Sequence, residues 1–388
     1  MRYIFFIIVF SFLAGPTSGQ QYQSRHYGVE DGLPSSEVYH VYQDSEGYIW
    51  IATNMGVSRY DGYEFKNYDL EDGLPGNTIF EIYEDYKGRI WFLSFSMRLS
   101  YFYNDTIHTY EHNDAISDYF IKDRVFQKLS FHIDKQDNIY AGIEQHNIIK
   151  IDSTGELNEI IMRSEDTLNL FNHGKKFFNA WSGFSKDKIN IFNKDTSKII
   201  DMKLEARKKN TAQFSCKRKN SLYFTMGNTL YHLQKDSLLD KRVFDKRILW
   251  MDFDKGNDLW IGLTDGALRL NKNNIHENED ILLEGKNITS VLKDYESGYW
   301  FSTHKDGLYY VPSLSIKTLT QKEGLYSDKI GAITSNKGKN VLIGHKDPGV
   351  TLMRNKEIYE IIEMANYGSE GINDIVCGVR DNVYFLRW

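Results

Sequence analysis

Hydrophobic and polar residues alternate along most of the chain, in short runs that end at glycine, aspartate or asparagine. Period-two alternation of this kind predicts β-strands, because successive side chains of a strand point to opposite faces. Asp61-Gly62 is a hairpin signal, and only 5 prolines interrupt the chain. No run of ten or more residues with helical period follows the N-terminal segment. The sequence therefore predicts an all-β protein, and its first clear unit has strands at Val38–Gln43, Tyr48–Thr53, Val57–Tyr60 and Tyr63–Tyr68.

This unit of four strands repeats along the chain. The motif Asp-Gly-Leu-Pro at 31–34 recurs at 72–75, and Trp50 recurs as Trp91, each after 41 residues. The same pattern returns later, where Trp260 and Trp300 are 40 residues apart. A repeat of about 40 residues with four short strands predicts a β-propeller blade, and a two-sheet sandwich is the alternative. Weaker copies lie at 137–142, 220–224 and 323–344, and one more unit is placed within 167–203 by spacing alone.

The number of blades is left open by the repeat. Eight units run from residue 31 to about 361, and 371–388 begins a ninth that stops early. Residues 21–28 resemble a stray outer strand, which would close a ring by pairing with its last blade. The sequence fits a seven-bladed ring followed by the start of a second, or a single ring of eight or nine blades. We expect a propeller over 20–320 and further repeats over 321–388, the last one incomplete.

The N-terminus resembles a secretory signal peptide at 1–19. Arg2 precedes an apolar run from Tyr3 to Ala14, and small residues follow it up to Gly19. The run is shorter than the roughly 20 residues that span a bilayer, so cleavage before Gln20 is favoured over a membrane anchor. A buried N-terminal strand is the other alternative. No later stretch reaches 18 apolar residues. We therefore expect an extracytoplasmic protein, periplasmic or otherwise exported, with no membrane span in this chain.

The repeat resembles the two-component regulator propeller family. Its phrases are D-G-L-P-x-x-x-[VI], D-x-x-G-x-[IL]-W-[IF] and T-x-x-G-[VL], which occur across 31–60, 72–91 and 254–270. The resemblance implies the periplasmic sensor region of a bacterial histidine kinase, including hybrid kinases that regulate carbohydrate use. It also implies two seven-bladed propellers ahead of an immunoglobulin-like domain, a membrane helix and the kinase. This chain would then be an input region that recognises an oligosaccharide or another small molecule, with a homodimer possible through a missing C-terminal region.

Composition and motifs exclude several other classes of protein. The chain has 47 basic and 53 acidic side chains, a net charge of −6, which argues against a nucleic-acid or membrane-surface binder. The basic run at 203–219 is interpreted as a solvated hairpin face. Two cysteines make neither a disulfide framework nor a four-cysteine zinc site. The acidic turns lack the spacing of calcium loops, and no HExxH, GxSxG, P-loop or Rossmann motif occurs. We predict no enzymatic activity, no cofactor and no metal.

The candidate ligand site is one mouth of the propeller channel. In a propeller, the connection between blades and the loop between second and third strands emerge on the same face. Two His-Lys pairs occupy that loop in two blades that the repeat makes neighbours, forming a basic rim that suits a sulfated or uronic-acid sugar. Ordinary exposed loops are the simpler interpretation. The predicted ligand-binding residues are Ser35, Ser36, Asn54, Asn77, Thr78, Asp265, His304, Lys305, His345 and Lys346.

Two further hypotheses remain open from the sequence. An exported lyase or hydrolase acting on a polysaccharide would use His304 or His345 with a neighbouring carboxylate as its acid–base pair. A protein-binding scaffold would need an apolar, flat channel mouth. The recurring tryptophans are expected to lock blade against blade instead of stacking on sugars, since they hold a fixed place in each repeat.

Overall fold

The protein forms two compact units, Ser24–Ser313 and a second unit that joins Leu314–Trp388 with the chain up to Gln23. No helix in the described part of the chain is long and apolar enough to cross a membrane. The predicted signal peptide lies outside the described residues. The computed structural model describes residues 21–119, 126–143, 148–160, 167–173, 176–182, 188–193, 196–201, 214–218, 221–234, 237–271, 274–321, 324–336, 340–354, 357–363, 371–377 and 383–387.

The strands are short and follow one another with little else between them. Within the described residues, one α-helix, α1, spans Asn113–Tyr119, and a 3-10 turn spans Val29–Asp31. The strands up to the fourth sheet are β1 (Gln21–Tyr22), β2 (Arg25–Tyr27), β3 (Val38–Gln43), β4 (Ile49–Thr53), β5 (Gly56–Tyr60), β6 (Phe65–Tyr68), β7 (Ile79–Glu84), β8 (Ile90–Ser94), β9 (Leu99–Tyr103), β10 (Thr106–Thr109), β11 (Phe126–Ile133), β12 (Ile139–Ile143), β13 (Ile148–Ile151), β14 (Leu157–Ile160), β15 (Thr167–His173), β16 (Lys176–Ser182), β17 (Lys188–Asn193) and β18 (Thr196–Asp201). The remaining strands are β19 (Ser215–Arg218), β20 (Ser221–Met226), β21 (Thr229–Gln234), β22 (Ser237–Val243), β23 (Ile248–Phe253), β24 (Leu259–Leu263), β25 (Gly266–Leu270), β26 (Asn278–Leu282), β27 (Ile288–Lys293), β28 (Tyr299–Thr303), β29 (Leu308–Val311), β30 (Lys317–Thr318), β31 (Ile330–Asn336), β32 (Asn340–His345), β33 (Gly349–Arg354), β34 (Glu357–Glu363), β35 (Ile372–Cys377) and β36 (Val383–Arg387).

The unit Ser24–Ser313 is a seven-bladed β-propeller. Each blade is a four-stranded sheet, beginning with β3-β4-β5-β6 and ending with the sheet of β27, β28 and β29. The innermost strands contact one another in a closed cycle, which runs β3, β7, β11, β16, β19, β23, β27 and back to β3. The predicted all-β propeller of four-stranded blades is therefore confirmed, and the ring that forms has seven members.

A strand from the N-terminus closes the ring. Strand β2 pairs antiparallel with β29, so that Tyr27 lies opposite Leu308, and it supplies the fourth strand of the seventh blade. The Tyr27 ring stacks on Trp300 with centroids 5.7 Å apart, and His26 Nε2 lies 2.7 Å from the carbonyl oxygen of Asp306. This is the role expected for the stray strand within 21–28. Pairing the two ends of the ring removes an exposed sheet edge.

The fourth blade departs from the pattern of the other six. Its strand order is β16-β15-β17-β18, and β15 runs parallel to β17, whereas every other pairing in the ring is antiparallel. This segment lacks the Asp-Gly turns and the tryptophan phrase that mark the first, second, sixth and seventh repeats. The unit placed there by spacing alone is thus a blade, with an order of strands that the repeat does not predict.

An aspartate in the turn after the inner strand anchors the tryptophan of the next strand. Asp44 Oδ2 accepts a hydrogen bond from Trp50 Nε1 at 2.6 Å, while its Oδ1 accepts the amides of Glu46 and Tyr48. The carboxylate therefore ties the turn to a fully buried indole ring. The acidic turns are hairpin turns that hold the tryptophan in place, as the sequence interpretation favours. The same aspartate–tryptophan bond forms in Asp85–Trp91, Asp254–Trp260 and Asp294–Trp300.

The glycine of the Thr-x-x-Gly loop is required by both its conformation and its surroundings. Gly56 has φ +107°, and a Cβ there would stand 2.2 Å from the Tyr68 carbonyl oxygen, whereas Gly62 has φ +105° and open space around it. We expect Gly62→Ala to cost about 1 kcal/mol of unfolding free energy from backbone strain. Gly56→Ala should cost at least about 2 kcal/mol more, because the outer strand must move. Denaturant titrations of both variants check this, and equal losses would contradict it.

The second unit contains one four-stranded sheet, β31-β32-β33-β34, and the β35-β36 hairpin. The short strands β1 and β30 pair with each other in the same unit. This four-stranded sheet has the same register between its first two strands as the blades of the ring, but its apolar positions are more exposed to solvent. Ile333 is 64% exposed, whereas Val41, which holds the same register position in the first blade, is 3% exposed.

Candidate functional site

The predicted mouth residues gather on one face because backbone hydrogen bonds pin the loops together. In the first, second, sixth and seventh blades, an amide of the second-to-third strand loop donates to the backbone oxygen of the residue that precedes the inner strand. Asn54 N donates to Glu37 O at 3.3 Å, and Phe95 N donates to Thr78 O at 3.1 Å. His304 N makes the same bond in the seventh blade, at 3.0 Å. The connections between blades and the loops between second and third strands therefore meet at the same end of the channel.

Neighbouring blades are joined at this face by a second set of backbone bonds. Gly56 N donates to Asn77 O at 2.6 Å, and Gly307 N donates to Ser36 O at 2.8 Å. Ser36 and Asn77 thus use their carbonyl groups to join one blade to the next. The Ser36 side chain is partly buried and the Asn77 side chain is exposed, and both lie on the same rim.

Five side chains from three blades form a contiguous group, which we call the mouth cluster: Glu37, Tyr39, Asn54, Phe95 and His304. Glu37 lies at its centre, accepting a hydrogen bond from Asn54 Nδ2 at 3.1 Å and another from the Tyr39 hydroxyl. His304 Nε2 is 3.5 Å from Glu37 Oε1. The Tyr39 ring meets those of Phe95 and His304 edge-on, with centroids 5.9 and 6.0 Å away.

The mouth cluster contains one polar atom that the protein does not satisfy. The amide oxygen of Asn54 is buried and accepts no hydrogen bond from any described residue. Thr78 Oγ1 donates to the backbone oxygen of Asn54 at 3.4 Å, and the large ring of Phe95, another member of the cluster, is exposed. A buried acceptor next to an exposed aromatic surface is suited to a ligand that carries both hydroxyl groups and apolar faces.

Two other predicted residues, Ser35 and Asp265, take part in local contacts. Ser35 Oγ accepts the Glu37 amide at 3.0 Å, so Ser35 caps the start of the inner strand. Asp265 accepts the Gly285 amide at 2.7 Å and pairs with Lys246 at 3.0 Å, and the hydrogen bond from Lys246 lowers the pKa of its carboxyl group. Asp265 is therefore already neutralised by a neighbour, while the Lys305 side chain is exposed.

The second His-Lys pair does not lie where the repeat predicts. His345 belongs to the second unit and is not a member of the ring, whose seventh blade adjoins the first. Its side chain is fully buried, with Nε2 2.9 Å from Thr351 Oγ1, and burial lowers the pKa of the imidazole. Lys346 is exposed. The expectation of two exposed pairs on adjacent blades of one ring is wrong, because the ring closes through β2 before the chain reaches His345.

The interior of the channel contains charged residues that the sequence interpretation did not single out. Lys128, from the inner strand of the third blade, places its amine 2.8 Å from the carbonyl oxygen of Thr289 and also donates to that of Tyr39. Glu81, from the second blade, is buried nearby and accepts the Leu129 amide at 2.7 Å. Lys128 therefore links the third blade to the first and seventh, across the channel.

A cavity of about 170 Å³ lies within the channel, bordered by the first, second, third, sixth and seventh blades. We call it the channel cavity. Several of its residues, such as Tyr42, Tyr83 and Lys293, come from the ends of inner strands, so it faces away from the mouth cluster. Alignment of the repeats could have pointed to Glu37 of the mouth cluster, since Glu37 occupies the same place as Thr78, one residue before the inner strand.

The described fold is shared with solved propeller structures. The extracellular domain of a protein described as a hybrid two-component system, BT3049 from B. thetaiotaomicron, has a TM-score of 0.68 at 16% identity, covering 94% of this chain and 52% of that one. The extracellular domain of a protein described as the one-component system BT4673, from the same organism, has a TM-score of 0.56 at 15% identity, covering 95% of this chain and 52% of that one. This chain therefore spans about half the length of these two structures.

A propeller enzyme is similar at the same level of fold. Virginiamycin B lyase from Staphylococcus aureus has a TM-score of 0.54 at 13% identity, covering 75% of this chain and 98% of the lyase. At such identities these similarities establish the propeller fold, with no transfer of function. Among curated proteins, none matches the sequence significantly.

The repeat itself is identified by its sequence. Residues 32–55 and 73–96 match the family described as two component regulator propeller. These segments run from the Asp-Gly-Leu-Pro motif through the tryptophan strand of the first and second blades. The chain carries two-component regulator propeller repeats, as its motifs indicate.

Proposed function

We propose that this chain is the extracytoplasmic input region of a two-component sensor, and that its ring binds an oligosaccharide at the mouth cluster. The observation that carries the binding site is the buried, unsatisfied amide oxygen of Asn54, placed beside the exposed ring of Phe95. The regulator repeats and the similarity to extracellular domains of two-component systems support the sensor role. Export through the segment 1–19 is part of the same proposal.

The chemistry of the mouth cluster suits a sugar. A pyranose presents hydroxyl groups that both donate and accept, together with apolar C–H faces. Asn54 Oδ1 would accept one hydroxyl and Glu37 another, while Phe95 would cover an apolar face of the ring. Lys305 adds positive charge at the rim and His304 adds a hydrogen-bonding imidazole, which favours uronic or sulfated sugars over neutral ones. Ser36, Asn77 and Thr78 lie on the same rim and would contact further sugar units.

Calorimetry against neutral, uronic and sulfated oligosaccharides tests this proposal. For an oligosaccharide that binds, we expect Asn54→Ala to weaken the affinity about tenfold, because one hydrogen bond to a buried acceptor is lost. Phe95→Ala should weaken it by about three- to tenfold through loss of the aromatic surface. Tyr63→Ala is the matched control, since Tyr63 is 94% exposed at a hairpin outside the mouth cluster. Absence of binding to every oligosaccharide, or unchanged affinity in Asn54→Ala, would contradict the proposal.

The contact of His304 with Glu37 keeps the lyase or hydrolase alternative testable. An imidazole 3.5 Å from a carboxylate oxygen is a usable acid–base pair. The binding experiments should therefore be followed by analysis of the oligosaccharide after incubation. Cleavage by the wild-type protein that disappears in His304→Ala would favour the enzyme over the sensor. His345 is buried in the second unit and is the weaker candidate for such chemistry.

We also propose that the second unit is the start of another propeller. Its blade has the register of the ring blades, yet Ile333 is exposed where the equivalent residues of the ring are covered by a neighbouring blade. Further blades packed against β31 would cover this position. A homodimer formed elsewhere in a longer protein is compatible with this arrangement.

A further inference from the structure

The channel cavity is separate from the mouth cluster and lies among five inner strands. Its volume of about 170 Å³ exceeds the roughly 150 Å³ of an engineered cavity that binds benzene. The cavity is also partly open, so a ligand as large as a monosaccharide could occupy it with part of the molecule extending outside. It combines aromatic side chains with charged ones, including Trp250, Phe253, Lys255 and Lys293.

A recurring hydrogen bond shows how the first, second and seventh blades each satisfy an inward-facing amide of the next blade. The inner strands of these blades each have a β-bulge, where their register with the second strand shifts. The side chain of the residue just after the bulge reaches the next blade and accepts a hydrogen bond from a backbone N–H there. This bond satisfies an amide at the free edge of the innermost strand, which has no strand partner on that side. It occurs between Ser290 Oγ and Val41 N at 3.0 Å, His40 Nδ1 and Ile82 N at 3.1 Å, and Glu81 Oε2 and Leu129 N at 2.7 Å.

The sixth blade carries a tryptophan at this position. Trp250 pairs with Gly262 just after the bulge, as Ser290 pairs with Ser302. An indole has a donor and no acceptor, so Trp250 offers no side-chain oxygen or nitrogen to the amide of Val291 in the seventh blade. Both Trp250 and Val291 border the channel cavity. The sixth blade thus brings a second donor to the place where the first, second and seventh blades bring an acceptor.

The indole N–H of Trp250 has no hydrogen-bond partner among the described residues, although the side chain is only 4% exposed. This contrasts with Trp50, Trp91, Trp260 and Trp300, each of which donates to the aspartate of its own turn. A buried donor without an acceptor costs about 1–3 kcal/mol, which a bound acceptor would recover. The cavity is therefore preorganised for a ligand that presents an acceptor oxygen.

The cavity is lined by two lysines, Lys255 and Lys293, and by three carboxylates, Glu81, Asp252 and Asp254. Lys255 donates to Gln43 Oε1 at 3.2 Å, which leaves further N–H groups on its ammonium, and burial lowers its pKa. The acidic residues of the cavity already accept protein donors. Asp254 accepts Trp260 Nε1 and the Asp258 amide, while the Asp252 and Glu81 carboxylates accept the amides of Phe253 and Leu129.

We propose that the channel cavity is a second binding site, for a small carboxylate no larger than a monosaccharide, with Trp250 Nε1 and Lys255 as its donors. The site is independent of the mouth cluster and of the oligosaccharide proposed to bind there. A carboxylate has two oxygens with several lone pairs, so it can accept from the indole and from the Val291 amide together. An anion held by several such donors makes stronger bonds than a neutral acceptor does.

The test uses sodium D-glucuronate as probe and D-glucose as its neutral counterpart. In the protein labelled with ¹⁵N at its tryptophan side chains, the indole signal of Trp250 is the one absent from Trp250→Phe. We expect glucuronate to shift this signal and glucose to leave it in place. Trp250→Phe and Lys255→Met should each weaken glucuronate binding, measured by calorimetry, about tenfold. Trp91→Phe, whose N–H is bound to Asp85, should keep the affinity within about twofold.

The results for the Trp250 signal and for the variants either support or contradict the carboxylate site. A Trp250 signal that glucuronate does not move, or that glucose moves equally, overturns the assignment of a carboxylate site. Asn54→Ala separates this site from the mouth cluster. If glucuronate binding survives in Asn54→Ala and is weakened in Trp250→Phe, the channel cavity is the site even where no oligosaccharide binds the mouth. If that variant loses glucuronate binding while Trp250→Phe keeps it, the carboxylate binds at the mouth and the proposal fails.

Discussion

A variant that begins at Val29, and so lacks β2, is expected to lose at least about 5 kcal/mol of unfolding free energy. Burial of the Tyr27 side chain contributes about 3 kcal/mol, and the hydrogen bonds between β2 and β29 contribute about 1 kcal/mol each. Removal of β2 also uncovers Trp300 and leaves β29 as an exposed edge. Thermal unfolding followed by circular dichroism measures the loss, and size-exclusion chromatography should show association through the free edge.

A variant that begins at Ser24 is the matched control, because it keeps β2 and removes only the residues before it. We expect its ring to unfold at nearly the wild-type temperature. Equal stability of the two variants would mean that the seventh blade is stable with three strands, and that closure by β2 does not hold the ring together.

The propeller fold could be predicted from the sequence because its information is local. The Asp44 turn, the buried Trp50 and the Gly56 loop each act within one blade and recur after a fixed number of residues. The strand that closes the ring was also recognisable, since it resembles an outer strand without its own blade. The fourth blade was not, because its parallel pairing of β15 with β17 depends on contacts that no local motif encodes.

The candidate site could be predicted only in part. The repeat correctly places Asn54, Thr78 and His304 on one face, since loop position follows from strand order. It cannot show that Glu37 joins them, because that contact runs between side chains of different blades. It also misplaces His345, because equal spacing along the chain does not reveal where a ring closes. The channel residues escaped notice because they have no motif and differ in type from blade to blade.

Lys128 is the clearest of these channel residues, because its amine serves three blades. It donates to the carbonyl groups of Tyr39 and Thr289, and Glu81 lies close enough to favour its charged form. Part of the side chain remains accessible, but the amine lies deep in the protein, where desolvation lowers its pKa to about 7. A neutral amine still has two N–H groups, enough for both carbonyl oxygens.

Lys128→Met is expected to lower the unfolding free energy by about 3 kcal/mol at pH 7, because two inward-facing carbonyl groups lose their donor. The difference from wild type should grow as the pH rises from 7 toward 10. In this window the unfolded lysine, with a pKa of 10.5, stays protonated while the folded one is neutral, so the wild-type protein gains stability with pH. The gain should be at most about 1.4 kcal/mol for each pH unit, and below pH 7 the difference should level off. Denaturant titrations of both proteins from pH 6 to about 10 measure it. A difference that stays constant over this range would show that the pKa of Lys128 is not lowered, and a difference that shrinks would reverse the assigned sign.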